Sequence, residues 1–391
     1  MTLLNLLLAA GSGVLMVAAT VPSYGTCHES WEAPQDYIFP NVRTTDPTDA
    51  TFKPHFDNCL HNREALDKPR VLPRPNATTF EVWYFDAINR ANANESVTVM
   101  FFLATGDSVP GIRAPVTVRL FFGFADGSVE AFQVDAVDRE EGAARVHVEG
   151  AGSSGTWGAT GAEWTGNSDG NNYVVNINSP ELDVFDTLKM DSIAPPHYPC
   201  TTELTEKTTL QLFPGLSWTA HIPDAKVSAD FTVTSPSTKK SKDLNMKDAT
   251  GWHDYTFANR PWASVIDNWT YGRASIGSGK LDTINWFQGE DGTGKVHTSA
   301  YIARDGKAIV SKCETVNKRG EEKLVKVQPG EKMTSADILM TDGKTCKVEM
   351  YKDVEIESDG KGHGRWSGVA VSGRLRGQGF HEEGVFSTSR S

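Results

Sequence analysis

Three residues are the best candidates for chemistry in this chain: the neighbours His253 and Asp254, and Arg273 twenty positions downstream. A histidine beside a carboxylate can act as a general acid or base, and an arginine can polarise a substrate carbonyl. We therefore expect His253, Asp254 and Arg273 to be catalytic. A histidine that only caps a turn through Asp254 is an equally good explanation of the pair.

The same stretch, residues 251–287, is rich in tryptophan. Indole rings are rarely exposed in large numbers, and each buried indole N–H needs a partner. Core packing explains any single tryptophan better than ligand binding does, but the cluster together with its polar residues favours a pocket. The tryptophans are Trp252, Trp262, Trp269 and Trp286.

A second polar and aromatic run is FEVWYFDAI, residues 80–88. On a strand, Glu81 and Trp83 would face one side while Tyr84 and Asp86 face the other. A carboxylate beside aromatic rings is costly unless it is hydrogen-bonded or faces a wet cavity, although a turn contact also explains Asp86. From both runs we predict the following substrate contacts: Glu81, Trp83, Tyr84, Asp86, Trp218, Phe257, Trp262, Trp269, Trp286 and Arg374.

No motif indicates a metal or a cofactor. The chain has neither a GxSxG nucleophile motif nor a phosphate-binding glycine loop. His28, His55 and His61 lie near acidic residues, but their spacing fits no metal site on a helix or hairpin. We therefore expect no metal ion and no cofactor.

The elements that must position these residues are short strands. From Thr79 onward, runs rich in β-branched and aromatic residues alternate with turn signals such as Ala125-Asp126-Gly127, and no helical pattern persists. This pattern predicts an all-β fold of two tandem antiparallel barrels or sandwiches. The predicted boundaries are a signal peptide at 1–24, an extended N-terminal arm at 25–78, a first barrel at 79–234, a Lys-rich linker at 235–250 and a second barrel at 251–391.

Composition and targeting signals restrict the partners. A formal charge of −12 over 391 residues, with no long basic run, argues against nucleic acid or an anionic membrane. Residues 3–19 are apolar and precede small residues, as in a secretory signal, so we expect secretion and no stable membrane span after processing. Sequons at Asn76, Asn94 and Asn268 predict glycosylation. The oligomeric state is left open.

Five cysteines lie beyond the predicted signal peptide, too far apart for a CxxC motif. In an oxidising compartment they would give two disulfides and one free thiol. Cys313 with Cys346 could join neighbouring strands, and Cys27 or Cys59 with Cys200 could tie the arm to the first barrel.

Several of these motifs resemble a known family. EVWYFDAI and Gly251-Trp-His-Asp, with WTYGR downstream, resemble the two signatures of the carotenoid-hydratase-like fold, which has two lipocalin-like barrels. The strand WYFD and the pair GLSWTAHIPDAKVSADF resemble the fungal lipocalin-like Diels–Alderases more closely. The resemblance covers residues 79 to about 380. The apparent signal peptide and sequons are similar to those of the tropolone–sesquiterpene hetero-Diels–Alderases.

The resemblance implies a cofactor-independent enzyme of fungal secondary metabolism that catalyses a stereoselective (hetero-)Diels–Alder cycloaddition. A hydrophobic polyene or quinone methide, of polyketide or terpenoid origin, would bind in an aromatic cleft between the barrels. One alternative is a secreted lipocalin-like carrier of a hydrophobic metabolite. Another is an isoprenoid hydratase or isomerase, which is disfavoured because Tyr255 replaces the second histidine of the hydratase-like H-D-H pattern.

Overall fold

The structure is a computed structural model that describes residues 35–41, 66–72, 74–137, 142–205, 208–277, 282–317, 323–360 and 362–386, with the backbone of 55–56. The predicted signal peptide lies outside these ranges, as do Cys27 and Cys59. Helix is minor, as predicted: the described ranges contain the single-turn helix α1 at Trp262–Val265 and a 3-10 turn at Gly158–Thr160. No helix among them is long and apolar enough to cross a membrane.

The strands form two large sheets and one small ribbon. The first sheet contains β1 Gln35–Phe39, β4 Phe80–Asn89, β5 Ser96–Leu103, β6 Val116–Gly123, β7 Val129–Asp135, β8 Ala144–Glu149, β9 Gly152–Trp157, β10 Ala162–Gly166, β11 Asn172–Ser179, β12 Val184–Ser192, β13 Gln211–Phe213, β14 Leu216–Thr234 and β15 Ser241–Ala258. The second contains β16 Asn268–Ile276, β17 Asp282–Glu290, β18 Lys295–Arg304, β19 Lys307–Asn317, β20 Val325–Gln328, β21 Met333–Leu339, β22 Thr345–Tyr351, β23 Val354–Ser358, β24 Gly364–Ser372 and β25 Leu375–Val385. The ribbon pairs β2 His55–Phe56 with β3 Val71–Leu72.

All of these pairings are antiparallel, and both sheets are curled. The first sheet runs β1-β8-β9-β10-β11-β12-β14-β15-β4-β5-β6-β7, and the second runs β19-β18-β17-β16-β25-β24-β22-β21-β20. The predicted all-β fold with two tandem antiparallel units is therefore confirmed. β14 and β15 lie at the centre of the first sheet and give it the long surface on which the site is built.

The predicted linker at 235–250 is wrong. Residues 241–258 form β15, which pairs with β14 on one side and with β4 on the other. The run looked like a linker because lysine and aspartate occupy the outward positions of the strand, while Leu244 and Met246 point into the core. The first sheet therefore extends to Ala258. It also takes in part of the predicted arm, because β1 pairs with β8.

A disulfide and polar contacts join the two sheets. Cys200 is bonded to Cys313 of β19, so the suggested pairings of Cys313 with Cys346 and of Cys200 with Cys27 or Cys59 are wrong, and Cys346 is free. The Asp224 carboxylate accepts hydrogen bonds from Thr250 at 2.6 Å and from Thr283 of the second sheet at 2.9 Å. These links fix the relative position of the two sheets and of the space between them.

Candidate active site

A cavity of about 500 Å³ lies between the two sheets. Its wall combines residues of β4, β5, β6, β14 and β15 with residues of α1 and the second sheet. Nine of the residues that line it are aromatic: Phe80, Tyr84, Phe102, Trp218, Trp262, Trp269, Tyr271, Phe287 and Phe386. A cavity of this size and composition suits one small, largely apolar molecule.

The strand pleat decides which predicted residues reach this cavity. On β4, Val82 and Tyr84 face it, while Glu81 and Trp83 face the interior of the first sheet. On β15, Asp254 faces the cavity. The predicted contacts that line it are Tyr84, Trp218, Asp254, Trp262 and Trp269.

Asp254 is the carboxyl group set among the aromatic rings. Trp252 Nε1 donates a hydrogen bond to its Oδ2 at 2.7 Å. Burial raises the pKa of Asp254 to about 7, although hydrogen bonds from the indoles of Trp252 and Trp218 act in the opposite direction. Tyr271 also lines the cavity, and its hydroxyl is buried with no hydrogen-bond partner among the described residues. Asp254 therefore offers a bound ligand a polar contact among the aromatic rings.

A charged network forms another part of the wall. Arg365 donates to Glu382 Oε2 from Nη2 at 2.7 Å and from Nε at 3.0 Å, and to Glu357 from Nη1 at 3.2 Å. His363 Nε2 lies 3.2 Å from Glu382 Oε1. Burial raises the pKa of Glu382, but the charges of Arg365 and His363 lower it more, so that pKa lies well below its ordinary value. The Arg365 guanidinium also lies over the Tyr84 ring, 5.2 Å from its centroid.

Arg273, predicted to polarise a substrate, does not line the cavity. It forms a bidentate ion pair with Asp86 across the two sheets, and the Tyr84 hydroxyl donates to Asp86 Oδ2 at 2.9 Å. Burial lowers the pKa of Arg273, but the Asp86 carboxylate raises it more, so the guanidinium stays charged. Asp86, which is itself paired with Arg273, thus holds the Tyr84 hydroxyl in place.

His253 and Asp254 do not form the predicted pair. They are neighbours on one strand and face opposite sides of the sheet, because side chains alternate along a strand. His253 points into the first sheet, where its Nε2 lies 3.4 Å from Asp67 Oδ2. It is also mid-strand, so it caps no turn.

Three more predicted contacts lie away from the cavity: Phe257, Trp286 and Arg374. Phe257 is opposite Glu81 in the strand register, and both face the interior of the first sheet with Trp83. Trp286 packs inside the second sheet over Gly272, where any larger residue would collide with its ring. Arg374 is exposed in the two-residue turn between β24 and β25.

Glycosylation at the three sequons remains a prediction. Asn76 is buried and accepts hydrogen bonds from the Thr78 and Thr79 side chains. Asn94 and Asn268 are partly exposed, and Asn268 donates to Glu290 at 3.3 Å.

Sequence reasoning missed Tyr271, His363, Arg365 and Glu382. A signal for two of them was present: the tight turn at Gly373-Arg374 sets the register of the hairpin, and that register places Arg365 directly opposite Glu382. Opposite charges at paired positions of two neighbouring strands indicate an ion pair. Tyr271 lies in the WTYGR run, one of the strands rich in aromatic residues.

Comparison with known proteins shows that the chain is similar to members of one family. A family model described as Diels-Alderase-like matches residues 46–333. The chain is 31% identical over 257 residues to the quinolone epoxide rearrangement protein asqO of Emericella nidulans, covering 65% of this chain and 66% of that protein. It is 27% identical over 260 residues to the quinolone epoxide rearrangement protein penF of Penicillium thymicola, covering 65% and 68%. The chain thus spans about two thirds of the length of these curated relatives.

The fold is similar to that of a solved structure, CghA with Sch210972. The TM-score is 0.69 at 16% identity, and the match covers 90% of this chain and 99% of CghA. At this identity the match shows the shared fold with two sheets.

Proposed function

The chain belongs to the Diels-Alderase-like family, and from that premise we propose that it is a cofactor-independent cyclase acting on a small hydrophobic substrate in the cavity between the sheets. The proposed reaction is a stereoselective (hetero-)Diels–Alder cycloaddition of a polyene or quinone methide in fungal secondary metabolism. The observation that supports it best is the cavity itself, with aromatic walls and the Asp254 carboxyl among them.

A cycloaddition needs two π-systems held in one reactive arrangement. Binding in a fitted cavity can supply several kcal/mol of the barrier, because the freedom of the reacting ends is lost on binding. Rings on several sides provide that fit: Trp262 and Trp269 meet edge to face at 5.5 Å, and Phe80 lies 5.6 Å from Trp262. Flat walls at fixed angles would favour one folded form of the substrate over its mirror image.

Asp254 would bind an oxygen of the substrate. A hydrogen bond to a carbonyl conjugated with one π-system withdraws electron density and lowers the barrier, and a donor fixed in advance needs no rearrangement. Trp252 holds the Asp254 carboxyl from one side, so the group has a fixed direction. The Arg365 guanidinium, which already donates hydrogen bonds to Glu357 and Glu382, would form part of the cavity wall.

A second candidate is the acid-assisted rearrangement of an epoxide. Two relatives carry that reaction in their names, and a carboxyl group on an apolar wall is a suitable proton donor to an epoxide oxygen. In this version Asp254 transfers a proton during the reaction, whereas in the cycloaddition it gives only a hydrogen bond.

Asp254→Asn separates the two reactions. Asparagine keeps an acceptor oxygen for the Trp252 indole and an N–H donor for the substrate, but it transfers no proton. We expect the variant to keep a cycloaddition rate within about tenfold of wild type and to lose roughly 10²-fold or more in epoxide rearrangement. The measurement is turnover of polyene, quinone-methide and epoxide probes with chiral product analysis. Asp230→Asn, on the exposed face of β14, is the matched control.

A hydrophobic carrier is the remaining alternative. If the wild-type protein binds every probe and returns all of them unchanged, both proposed reactions are wrong. If Asp254→Asn and Asp254→Ala both match wild type in rate and stereoselectivity while folded, the site is wrong and the family assignment stands.

A further inference from the structure

A cluster of ligand-type side chains lies inside the first sheet, on the face of β15 opposite the cavity. Asp67, His221 and His253 each offer one donor atom, and these atoms lie within 4.8 Å of one another. All three side chains are buried, with exposed fractions of 0%, 2% and 0%. They come from the segment 66–72, from β14 and from β15, so the fold alone brings them together.

The hydrogen bonding of His253 shows which nitrogen is free. Its Nδ1 lies 2.9 Å from the backbone oxygen of Tyr84, and a carbonyl oxygen can only accept. Nδ1 therefore carries the hydrogen, and in the neutral ring Nε2 presents a lone pair. That lone pair faces Asp67 Oδ2 at 3.4 Å. Two acceptors at this distance repel each other unless a cation lies between them or the ring takes up a second proton.

His221 supplies a third group of the same kind. Its Nδ1 lies 3.9 Å from Asp67 Oδ1, which has no hydrogen-bond partner in the described part of the chain, and the His221 ring also interacts with the Leu66 backbone. A buried polar atom left without a partner costs about 1–3 kcal/mol. One cation at the centre of the three groups would satisfy all of these atoms together.

The surroundings hold these side chains in place. Ser153 and Tyr173 donate hydrogen bonds to Asp67 Oδ2, the latter at 2.9 Å. The His253 ring lies parallel to Phe85, with centroids 4.0 Å apart. Hydrogen bonds of this type, to a carboxylate and from the far nitrogen of a histidine to a carbonyl, are the usual supports of metal ligands.

We propose that Asp67, His221 and His253 bind one divalent transition-metal ion, Zn²⁺ foremost. Two imidazoles and one carboxylate are a donor set that zinc uses, with ligand distances of roughly 2.0–2.2 Å. Side-chain adjustments of less than about 1 Å would close the donor atoms around the ion, and a water or the second Asp67 oxygen would complete its coordination. The ion is structural: it ties the segment 66–72 to β14 and β15 behind the cavity wall.

Metal content and thermal stability test the proposal. The full chain, purified without a histidine tag or chelator, is analysed by mass spectrometry for first-row metals. We expect about one zinc per chain. We also expect a lower melting temperature after treatment with a chelator, restored by Zn²⁺ and not by Mg²⁺.

Two variants show whether the zinc is at this site. His221→Phe keeps a ring against His253 and removes a ligand, so we expect Zn²⁺ affinity to fall by at least about tenfold. His197→Phe changes another buried histidine, whose nitrogens contact Ser299 and Ser311, and it should leave the zinc content intact.

The proposal is overturned if the wild-type protein takes up no zinc on reconstitution and its melting temperature does not change when Zn²⁺ or a chelator is added. The cluster would then be an Asp–His pair that shares a proton. It is also overturned if His221→Phe retains as much zinc as wild type. Should His221→Phe fail to fold, titration of the metal-free wild type with Zn²⁺ decides alone.

Discussion

At the residue scale, Glu81 shows how far burial alone can raise the pKa of a side chain. It was predicted to contact substrate, yet it faces the interior of the first sheet, where its Oε1 accepts hydrogen bonds from the backbone N–H groups of Arg70 and Val71 and from the Tyr255 hydroxyl. Burial raises the pKa of Glu81 to about 7, even though these hydrogen bonds act to lower it. Glu81 thus fastens the segment 66–72 to β4 and titrates near neutral pH.

Glu81→Gln should change how stability depends on pH. An unfolded glutamate has a pKa near 4.5, so below that pH the carboxyl is protonated in both states and its contribution is fully present. Between about 4.5 and 7 only the folded protein keeps the proton, so the free energy of unfolding falls as pH rises. The glutamine variant lacks this fall, which is on the order of 3 kcal/mol. Urea unfolding of both proteins across pH 4–8 measures it.

Glu163→Gln, on an exposed position of β10, is the control for the loss of one carboxylate. A wild-type minus Glu81→Gln difference that does not vary with pH would contradict the raised pKa.

At the element scale, α1 is a single turn that contributes Trp262 to the cavity wall. Its first residue, Trp262, is anchored by a backbone hydrogen bond to Ser108 at 2.8 Å and packs against Phe80 and Trp269. A helix this short has little stability of its own, so its position depends on these contacts.

Trp262→Ala should widen the cavity and loosen the bound substrate. We expect the rate and the stereoselectivity to fall together, because a shift of about 1 Å in the reacting ends can cost on the order of 10²-fold. The measurement is kcat/KM with the product enantiomer ratio. Trp366→Ala, outside the cavity on β24, is the control for the loss of an indole. A lower rate with an unchanged enantiomer ratio would mean that Trp262 does not determine the conformation in which the substrate binds.

Element-level patterns also explain which parts of the site could be predicted. Period-two alternation correctly assigned the faces of β4, and the aromatic density of residues 251–287 correctly indicated a pocket that contains Trp262 and Trp269. Alternation does not say which face meets a cavity, so Glu81 and Phe257 were assigned to the wrong side. Asp67 and His221 come together with His253 only through pairings between distant segments, which no local pattern reveals.

At the scale of the whole molecule, the buried pair of Asp86 and Arg273 joins the two sheets. Its two partners are 187 positions apart, and both are almost completely buried. An ion pair in this position adds little net stability when intact, but removing one partner leaves an isolated charge in the interior. The pair therefore sets the relative position of the sheets.

Arg273→Met should destabilise the protein by about 3–5 kcal/mol, because the Asp86 carboxylate is left without its cation. Asp86→Asn combined with Arg273→Met should recover part of that loss, since the amide carries no charge. Chemical denaturation of the two single variants, the double variant and wild type gives the coupling energy. A loss in the double variant equal to the sum of the losses in the two single variants would show that the two residues act independently.

The disulfide between Cys200 and Cys313 has a consequence for protein engineering. It closes a covalent ring of chain whose ends are 113 residues apart, and this ring contains the exposed tip of the hairpin between β14 and β15. A peptide bond cut at that tip, near Lys239, leaves both fragments attached through sulfur. New termini, a reporter or a surface tether can therefore be introduced there while the two halves remain one molecule.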